Sequence, residues 1–242
     1  MTRRALGIAG LLVLLVVLAL VPAARAQLGP NIVVNGSFEL PTVCPAPFAT
    51  HTQGSTAITG WTVEDGGVSD ALLGSVDHVG SYWQAHDACQ SIDLNGLSPG
   101  ALRQDVATPG EEYLLSFWMA GNPDSPPAVK TMDVEWGGTV VYSPSFTTDL
   151  SNPLLTRTSN MGWTYHEVTV EATSATTTLR FISTTNTGPC PCYGPALDDV
   201  ALQEIDDDDD DGEDDDEDGE DEDGDGDDDD GDDDDDDDND DG

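Results

Sequence analysis

The sequence predicts an all-β fold, a β-sandwich of the jelly-roll type. Short runs rich in Val and Thr are separated by turn clusters such as Asn95-Gly96. Residues 163–172 alternate strictly between two sets of side chains, which is the period of a half-buried strand. Outside the first 26 residues, no segment keeps a helical period of 3.6 over eleven or more residues. Many short strands with regularly spaced turns are typical of sandwiches and jelly rolls.

The individual strands follow from the same patterns. Residues 113–119 are almost continuously apolar, which predicts a central strand that is buried on both faces. Residues 176–182 alternate, with Leu179 and Phe181 on one side. The other predicted strands span residues 32–38, 58–63, 90–94, 101–106, 131–136 and 196–202.

Residues 1–26 predict a secretory signal peptide. Arg3 and Arg4 form its basic start, residues 5–21 form its apolar run, and an A-x-A cleavage site ends at Ala26. The alternative is an uncleaved membrane anchor, since the apolar run approaches the length that spans a bilayer. Cleavage would leave a mature chain without membrane contact. We therefore expect a secreted protein that is extracellular or held at the cell surface.

The remaining chain divides by composition into a folded region, residues 27–205, and an acidic tail, residues 206–242. Thirty of the 37 tail residues are Asp or Glu, and they contribute most of the formal net charge of −42. Such a tail repels itself and has no apolar surface to bury, so we expect it to be disordered. It could bind divalent cations, bind mineral or cationic surfaces, or serve as a solubilising spacer. The acidity argues against nucleic-acid and anionic-lipid partners, because both need Lys and Arg.

Two acidic residues near opposite ends of the folded region are candidate metal ligands. Glu39 follows the first predicted strand, and Asp198 lies in the last one. Strict alternation from Val200 and Leu202 would put Asp198 on their face, which we expect to be the core face. An inward carboxylate is costly unless a cation or several donors meet it. The alternative is that Asp198 is an exposed acid just before the strand begins.

A set of segments carries a resemblance to known families. The segments are NIVVNGSFEL, ITGW, VDHVGSYWQA, SIDLNG, SPGALRQDVATPGEEYLLSFWMAGNPD, NMGWTYHEVTVEATSATTTLRF and YGPALDDV, in this order. Together they closely resemble the bacterial choice-of-anchor C family of secreted proteins. They are more distantly similar to plant cell-wall proteins of a domain-of-unknown-function class. The similarity covers residues 31–202.

The resemblance implies a galactose-binding-like jelly roll. In carbohydrate-binding modules of that fold, the Glu of N-G-x-F-E and the first Asp of the final D-D-V strand commonly hold a structural calcium ion. The matching residues here are Glu39 and Asp198, and such oxygen ligands suit Ca²⁺. The resemblance therefore implies that calcium closes the sandwich.

The four cysteines predict two disulfides, because an even number in an exported chain favours full pairing. Three pairings are possible, and a bridge between Cys190 and Cys192 would close a very tight ring. If the two acids share one ion, the loops that carry Cys44 and the Cys190–Cys192 pair are neighbours. We therefore expect Cys44 to pair with Cys190 or Cys192, and Cys89 with the other one. A zinc site is the competing hypothesis, but C-x-C lacks a second spaced pair.

Three aromatic residues are candidates for contact with a ligand. Tyr82 and Trp83 lie in a loop flanked by Gly and Ser, and Trp163 opens a predicted strand. Flat rings stack on the faces of sugars. The alternative is that aromatic residues fill the core, as we expect for Trp61 and Trp118.

No catalytic pattern is found in the sequence. The four histidines match no H-E-x-x-H motif, there is no G-x-S-x-G, and adjacent acids on a strand point to opposite faces. The sequence therefore predicts a secreted, non-catalytic module that binds carbohydrate or another extracellular or cell-wall polymer and contains a structural Ca²⁺ site. The alternative is a structural or adhesive surface protein whose tail binds divalent cations, mineral or cationic surfaces.

Overall fold

The computed structural model describes residues 27–67, 73–172, 174–186 and 190–206. These residues form strands and one short helix: β1 Gln27–Leu28, β2 Phe48–Thr52, β3 Thr62–Asp65, β4 Ser75–Val79, β5 Ser91–Asp93, β6 Gly100–Ala107, β7 Glu112–Gly121, β8 Val129–Trp136, β9 Thr139–Tyr142, β10 Ser145–Thr147, α1 Pro153–Ser159, β11 Thr164–Glu171, β12 Thr176–Ser183 and β13 Pro195–Asp206. The predicted signal peptide and residues 207–242 of the acidic tail lie outside the described residues. Within the described part, no helix is long and apolar enough to cross a membrane.

The strands form two antiparallel sheets. The seven-stranded sheet has the order β11-β7-β13-β5-β4-β2, with β1 added to β13, and the six-stranded sheet has the order β10-β8-β12-β6-β3, with β9 added to β8. The main core joins residues of both sheets, among them Phe117 of β7 and Phe181 of β12, whose rings meet edge to face at 5.2 Å. This arrangement confirms the predicted all-β sandwich.

Most predicted strands are confirmed, with two kinds of exception. The strands β1, β2, β4, β9 and β10 were not predicted, and each has five residues or fewer, too short for a period to be measured. Residues 32–38 were predicted as a strand and instead form turns, with Asn35 and Phe38 at positive φ. The Asn35 side chain stabilises these turns by accepting from the Leu40 N–H at 3.0 Å and donating to the Leu40 carbonyl at 2.8 Å. Of the predicted strand 58–63, only Thr62 and Val63 belong to β3, and residues 58–60 form a bend and a turn.

A β-bulge in β13 reverses the alternation of its side chains. The register with β7 shifts between Asp198 and Ala201, and Asp199 between them has a φ of 48°. Before the bulge, Leu197 packs into the main core while Asp198 lies opposite Trp118 on the outer face of the sheet. After the bulge, Val200 points into the core. The predicted orientation of Asp198 was therefore wrong, because strict alternation does not survive an extra residue.

Residues 80–90, called the covering segment below, lie over the outer face of the seven-stranded sheet. Trp83 packs there in a second apolar cluster with Val79, Ala120, Met161 and Ala196. Trp118 also lies on this outer face and stacks on the ring of His86 at 3.8 Å. The expectation that Trp61 fills the core is confirmed, whereas Trp118 is half-buried outside it.

Candidate functional site

Asp198 and Glu39 both hold the covering segment. One oxygen of Asp198, Oδ2, accepts from the backbone N–H groups of His86 at 2.8 Å and Asp87 at 3.0 Å, and Oδ1 accepts from the N–H of Asp199 at 2.7 Å. Oε1 of Glu39 accepts from the N–H groups of Cys89 at 3.0 Å and Gln90 at 2.7 Å. The two carboxyl groups thus form a clamp on residues 86–90.

The clamp is buried at the Asp198 side. Asp198 is fully buried, and this burial raises its pKa to about 8, while the three N–H donors oppose the shift. A Ca²⁺ ion here would need six to eight oxygen ligands, so carbonyl groups of the segment would have to replace its amide groups. In the described part of the chain, no three His, Cys, Asp or Glu side chains are grouped to hold a metal ion. The calcium site stays a prediction.

The disulfide pairing follows from the clamp and corrects the prediction. The bridges are Cys44–Cys89 and Cys190–Cys192. The prediction assumed that the two acids meet at one ion, but both acids instead hold the segment that carries Cys89. The side chain of the adjacent Gln90 accepts from the N–H of Cys44 at 3.1 Å, which fixes Cys44 beside Cys89.

A cleft of about 280 Å³ opens on the outer face between the covering segment and strands β2, β4 and β5. We call it the outer cleft. Its lining residues are Phe48, Thr50, Asp77, Val79, Tyr82, Trp83, Asp93, Gly96, Leu97, Asn122, Asp124, Cys192 and Tyr193. Aromatic and apolar side chains with a few polar groups among them are the usual composition of a small-molecule site.

Four aromatic side chains line the outer cleft, Phe48, Tyr82, Trp83 and Tyr193, and Phe48 is the exposed one. Phe48 is 44% exposed and meets Tyr82 edge to face at 5.7 Å. The guanidinium of Arg157 lies 4.3 Å from the centre of the Tyr82 ring, and the Tyr82 hydroxyl donates to Asp124 at 2.5 Å. Trp83 is only 5% exposed, and its Nε1 donates to the Ser91 hydroxyl at 2.7 Å. Phe48 is therefore the ring best placed to stack on a ligand.

The polar floor of the outer cleft centres on Asp93, which is 1% exposed. Its carboxyl accepts from Nδ2 of Asn122 at 2.8 Å and from the N–H groups of Asn95 at 2.9 Å and Gly194 at 3.0 Å. Burial raises the pKa of Asp93 to about 8. A Cβ at position 194 would lie 2.6 Å from the Asp93 carboxyl, so this approach requires glycine.

A buried lysine binds the backbone of a residue that lines the same cleft. Lys130 is fully buried, and its Nζ donates to the carbonyls of Ser125 at 3.0 Å and Tyr193 at 2.8 Å. Burial lowers the pKa of Lys130 to about 8, and the attraction of Asp93 opposes that shift. Lys130 therefore fixes the position of Tyr193 at the cleft wall.

Residues 31–203 match the model of a protein family described as a protein of unknown function, DUF642. The chain belongs to the DUF642 family. This DUF642 chain is also 33% identical over 205 residues to Halomucin of Haloquadratum walsbyi, a match that covers 83% of this chain. It spans 2% of the length of Halomucin. The predicted similarity to a domain-of-unknown-function class is thereby confirmed, and membership in the choice-of-anchor C family stays a prediction.

Several solved structures show a partial likeness to the DUF642 chain. A family 35 carbohydrate-binding module from Clostridium thermocellum has a TM-score of 0.39 and 13% identity, covering 64% of this chain and 97% of that one. CBM35 from Paenibacillus barcinonensis has a TM-score of 0.38 and 18% identity, with coverages of 64% and 97%. TmCBM61 in complex with β-1,4-galactotriose has a TM-score of 0.39 and 16% identity, with coverages of 72% and 98%.

The ligand-contact residues predicted from the DUF642 sequence are placed in two locations. Tyr82 and Trp83 line the outer cleft. Trp163 is not among the described lining residues; it packs against the second apolar cluster, and its Nε1 donates to the Gln84 carbonyl at 3.0 Å. Contact of these three residues with a ligand stays a prediction.

Sequence reasoning missed most of the outer cleft of this DUF642 domain, including Phe48, Asp77, Asp93 and Asn122. Phe48 and Asp77 belong to the short strands β2 and β4, on which Phe48 pairs with Val79 and Thr50 with Asp77. Alternation of Phe48 and Thr50 along β2 was the available signal, but five residues flanked by a cysteine- and proline-rich loop do not identify a strand.

Proposed function

We propose that this DUF642 domain is an exported, non-catalytic module that binds carbohydrate in the outer cleft. The observation that carries the proposal is the exposed ring of Phe48 beside a floor of carboxyl and amide groups. Sugars have an apolar ring face and several hydroxyls, so they pair with an aromatic surface flanked by hydrogen-bonding groups. The volume of about 280 Å³ lies just below the usual range for ligand pockets, which suits one sugar unit or a chain end.

A non-catalytic role fits the surroundings of the acids in the cleft. Asp93 is buried and accepts three N–H donors, so it is not free to transfer a proton to a ligand. Asp124 is held by the Tyr82 hydroxyl and by Arg157 at 3.3 Å. These contacts position polar groups and support binding rather than chemistry.

Replacing Phe48 with Ala is expected to weaken carbohydrate binding about tenfold, or by about 1.4 kcal/mol, because the stacking surface is removed. The mature chain is screened on a glycan array, and the affinity of the best glycan is then measured by calorimetry. Tyr165→Ala is the matched control, since Tyr165 is similarly exposed at 49% but lies outside the outer cleft. Equal loss in both variants, or no glycan retained by the wild-type chain, would refute the proposal.

Export is the second part of the proposal. The bridges Cys44–Cys89 and Cys190–Cys192 suit an oxidising compartment. The basic start, apolar run and A-x-A site of residues 1–26 support the same location. Mass spectrometry of the exported protein is expected to find a chain that begins at Gln27.

Calcium is the third part of the proposal, with a structural ion at Glu39 and Asp198 and looser divalent cations on the acidic tail. A chelator is then expected to lower the melting temperature of both the mature chain and a chain that stops at Ile205, because a ligand bound only to the folded state stabilises it. The shorter chain is expected to bind fewer Ca²⁺ ions in calorimetry. An unchanged melting temperature of the shorter chain would exclude the structural ion, and equal ion counts would exclude binding by the tail.

A further inference from the structure

The outer cleft is lined by several acidic side chains. Its described lining residues include three Asp and no Lys or Arg. Two of these acids are already compensated by protein groups: Asp124 by Arg157 and the Tyr82 hydroxyl, and Asp93 by three N–H donors with Lys130 nearby. The remaining acid is Asp77, on β4.

Asp77 lacks such compensation among the described residues. The hydrogen bond found for its carboxyl comes from the Thr50 hydroxyl, at 2.5 Å. Its pKa is raised by burial, while Thr50 and His51 oppose the shift. Burial also lowers the pKa of His51, so His51 supplies little positive charge at neutral pH. Asp77 is thus a half-buried acid without a strong cationic partner.

The position of Asp77 in the sheet puts its carboxyl group beside a second one. Asp77 pairs directly with Asp93 across β4 and β5. Directly opposite residues of an antiparallel pair share one face, with Cβ atoms about 4.5–5.5 Å apart, and after burial the nearby Asp77 contributes to the raised pKa of Asp93. A positive group that enters the cleft beside Asp77 would meet both carboxyl groups.

We infer that the outer cleft selects sugars that carry a free ammonium group, with the ammonium at Asp77 and the sugar ring on Phe48. This inference rests on the proposed carbohydrate binding and names the class of sugar. An organic cation suits the site because it gains from both the acids and the aromatic ring of Phe48. A bare metal ion gains only from the acids, and the described residues supply no group of three metal-binding side chains.

The charge of the whole protein favours the same class of ligand. The formal net charge is −42 at pH 7. Such a field attracts cationic ligands and repels uronic acids and sulfated sugars. The long-range field and the local acid at Asp77 therefore act in the same direction.

The test compares three oligosaccharides of one β-1,4 linkage, made of glucosamine, N-acetylglucosamine or glucose, by calorimetry with the mature chain. At a pH where the amine is protonated, we expect the glucosamine oligomer to bind about tenfold more tightly than the other two. Added salt should reduce this preference through screening, and a metal chelator should not change it. Asp77→Asn should remove the preference, so that the glucosamine oligomer binds no more tightly than the glucose oligomer.

The matched control is Glu111→Gln, which removes one negative charge from an exposed residue. Glu111 lies just before β7, whereas Asn122 of the cleft lies just after the other end of that strand. The Glu111→Gln change should leave the preference intact. Equal affinities for the three oligomers, or a preference that survives in Asp77→Asn, would overturn the amine selectivity and leave carbohydrate binding standing. If no glycan of any class binds, the proposed function itself fails. If the Asp77 variant does not fold, equal affinities of the wild-type chain for the three oligomers would still overturn the inference.

Discussion

Replacing Cys44 and Cys89 together with Ser is expected to lower the free energy of unfolding by about 4 kcal/mol. The bridge closes a loop with a sequence separation of 45, so its loss frees a long loop in the unfolded chain. It also releases the covering segment at the end nearest Glu39. Denaturant unfolding of the mature chain measures the difference.

The second disulfide is a matched control for the first. The Cys190–Cys192 bridge has a sequence separation of 2, and a ring this small is expected to contribute only about 1.5 kcal/mol. The double replacement Cys190→Ser and Cys192→Ser should therefore cost less than half as much. A larger loss from this pair than from Cys44 and Cys89 would contradict the argument from loop length.

Replacing Asp198 with Ala is expected to cost about 3 kcal/mol of stability, because three backbone N–H groups lose a buried acceptor. Asp198→Asn keeps one acceptor oxygen and should cost less. Asp199→Asn is the neighbouring control, since its half-exposed side chain makes only a weak pair with His86 at 3.6 Å. If Asp199→Asn destabilises the domain as much as Asp198→Asn does, the clamp is not what Asp198 provides.

The same carboxyl group gives stability a defined dependence on pH. The pKa of Asp198 is about 8 in the calcium-free folded protein and has a reference value of 3.8. Between these values the folded state binds a proton that the unfolded state has lost, so stability decreases as the pH rises from 3.8 to about 8. Asp198→Asn should flatten part of this decrease, and Asp93, with a pKa of about 8, should keep the rest. A pH profile that is identical in wild type and Asp198→Asn would contradict the raised pKa.

The outer cleft shows which residues of a candidate functional site could be predicted from the sequence. Tyr82 and Trp83 were predicted from an aromatic pair in a Gly- and Ser-flanked loop, and both line the cleft. Phe48 and Asp77 were not predicted, because each lies in a strand of five residues. Phe48 lies in the cleft because it pairs with Val79, and Asp77 because it pairs with Asp93. Neither partner is a near neighbour in the sequence, so a local period cannot reveal these pairings.

Local periods and composition are what allowed structure to be predicted from the sequence alone. The two-residue alternation of β11 and β12 and the apolar run of β7 follow from the geometry of a strand, so the all-β class and the long strands could be predicted. What only the tertiary structure decided depends on long-range contacts. The bulge at Asp199 turned Asp198 to the outer face, where it holds residues 86 and 87, more than a hundred positions away. Together with the contacts of Glu39 to residues 89 and 90, this contact fixes the segment in which Cys89 lies beside Cys44. A local period cannot reveal contacts between residues so far apart in the sequence.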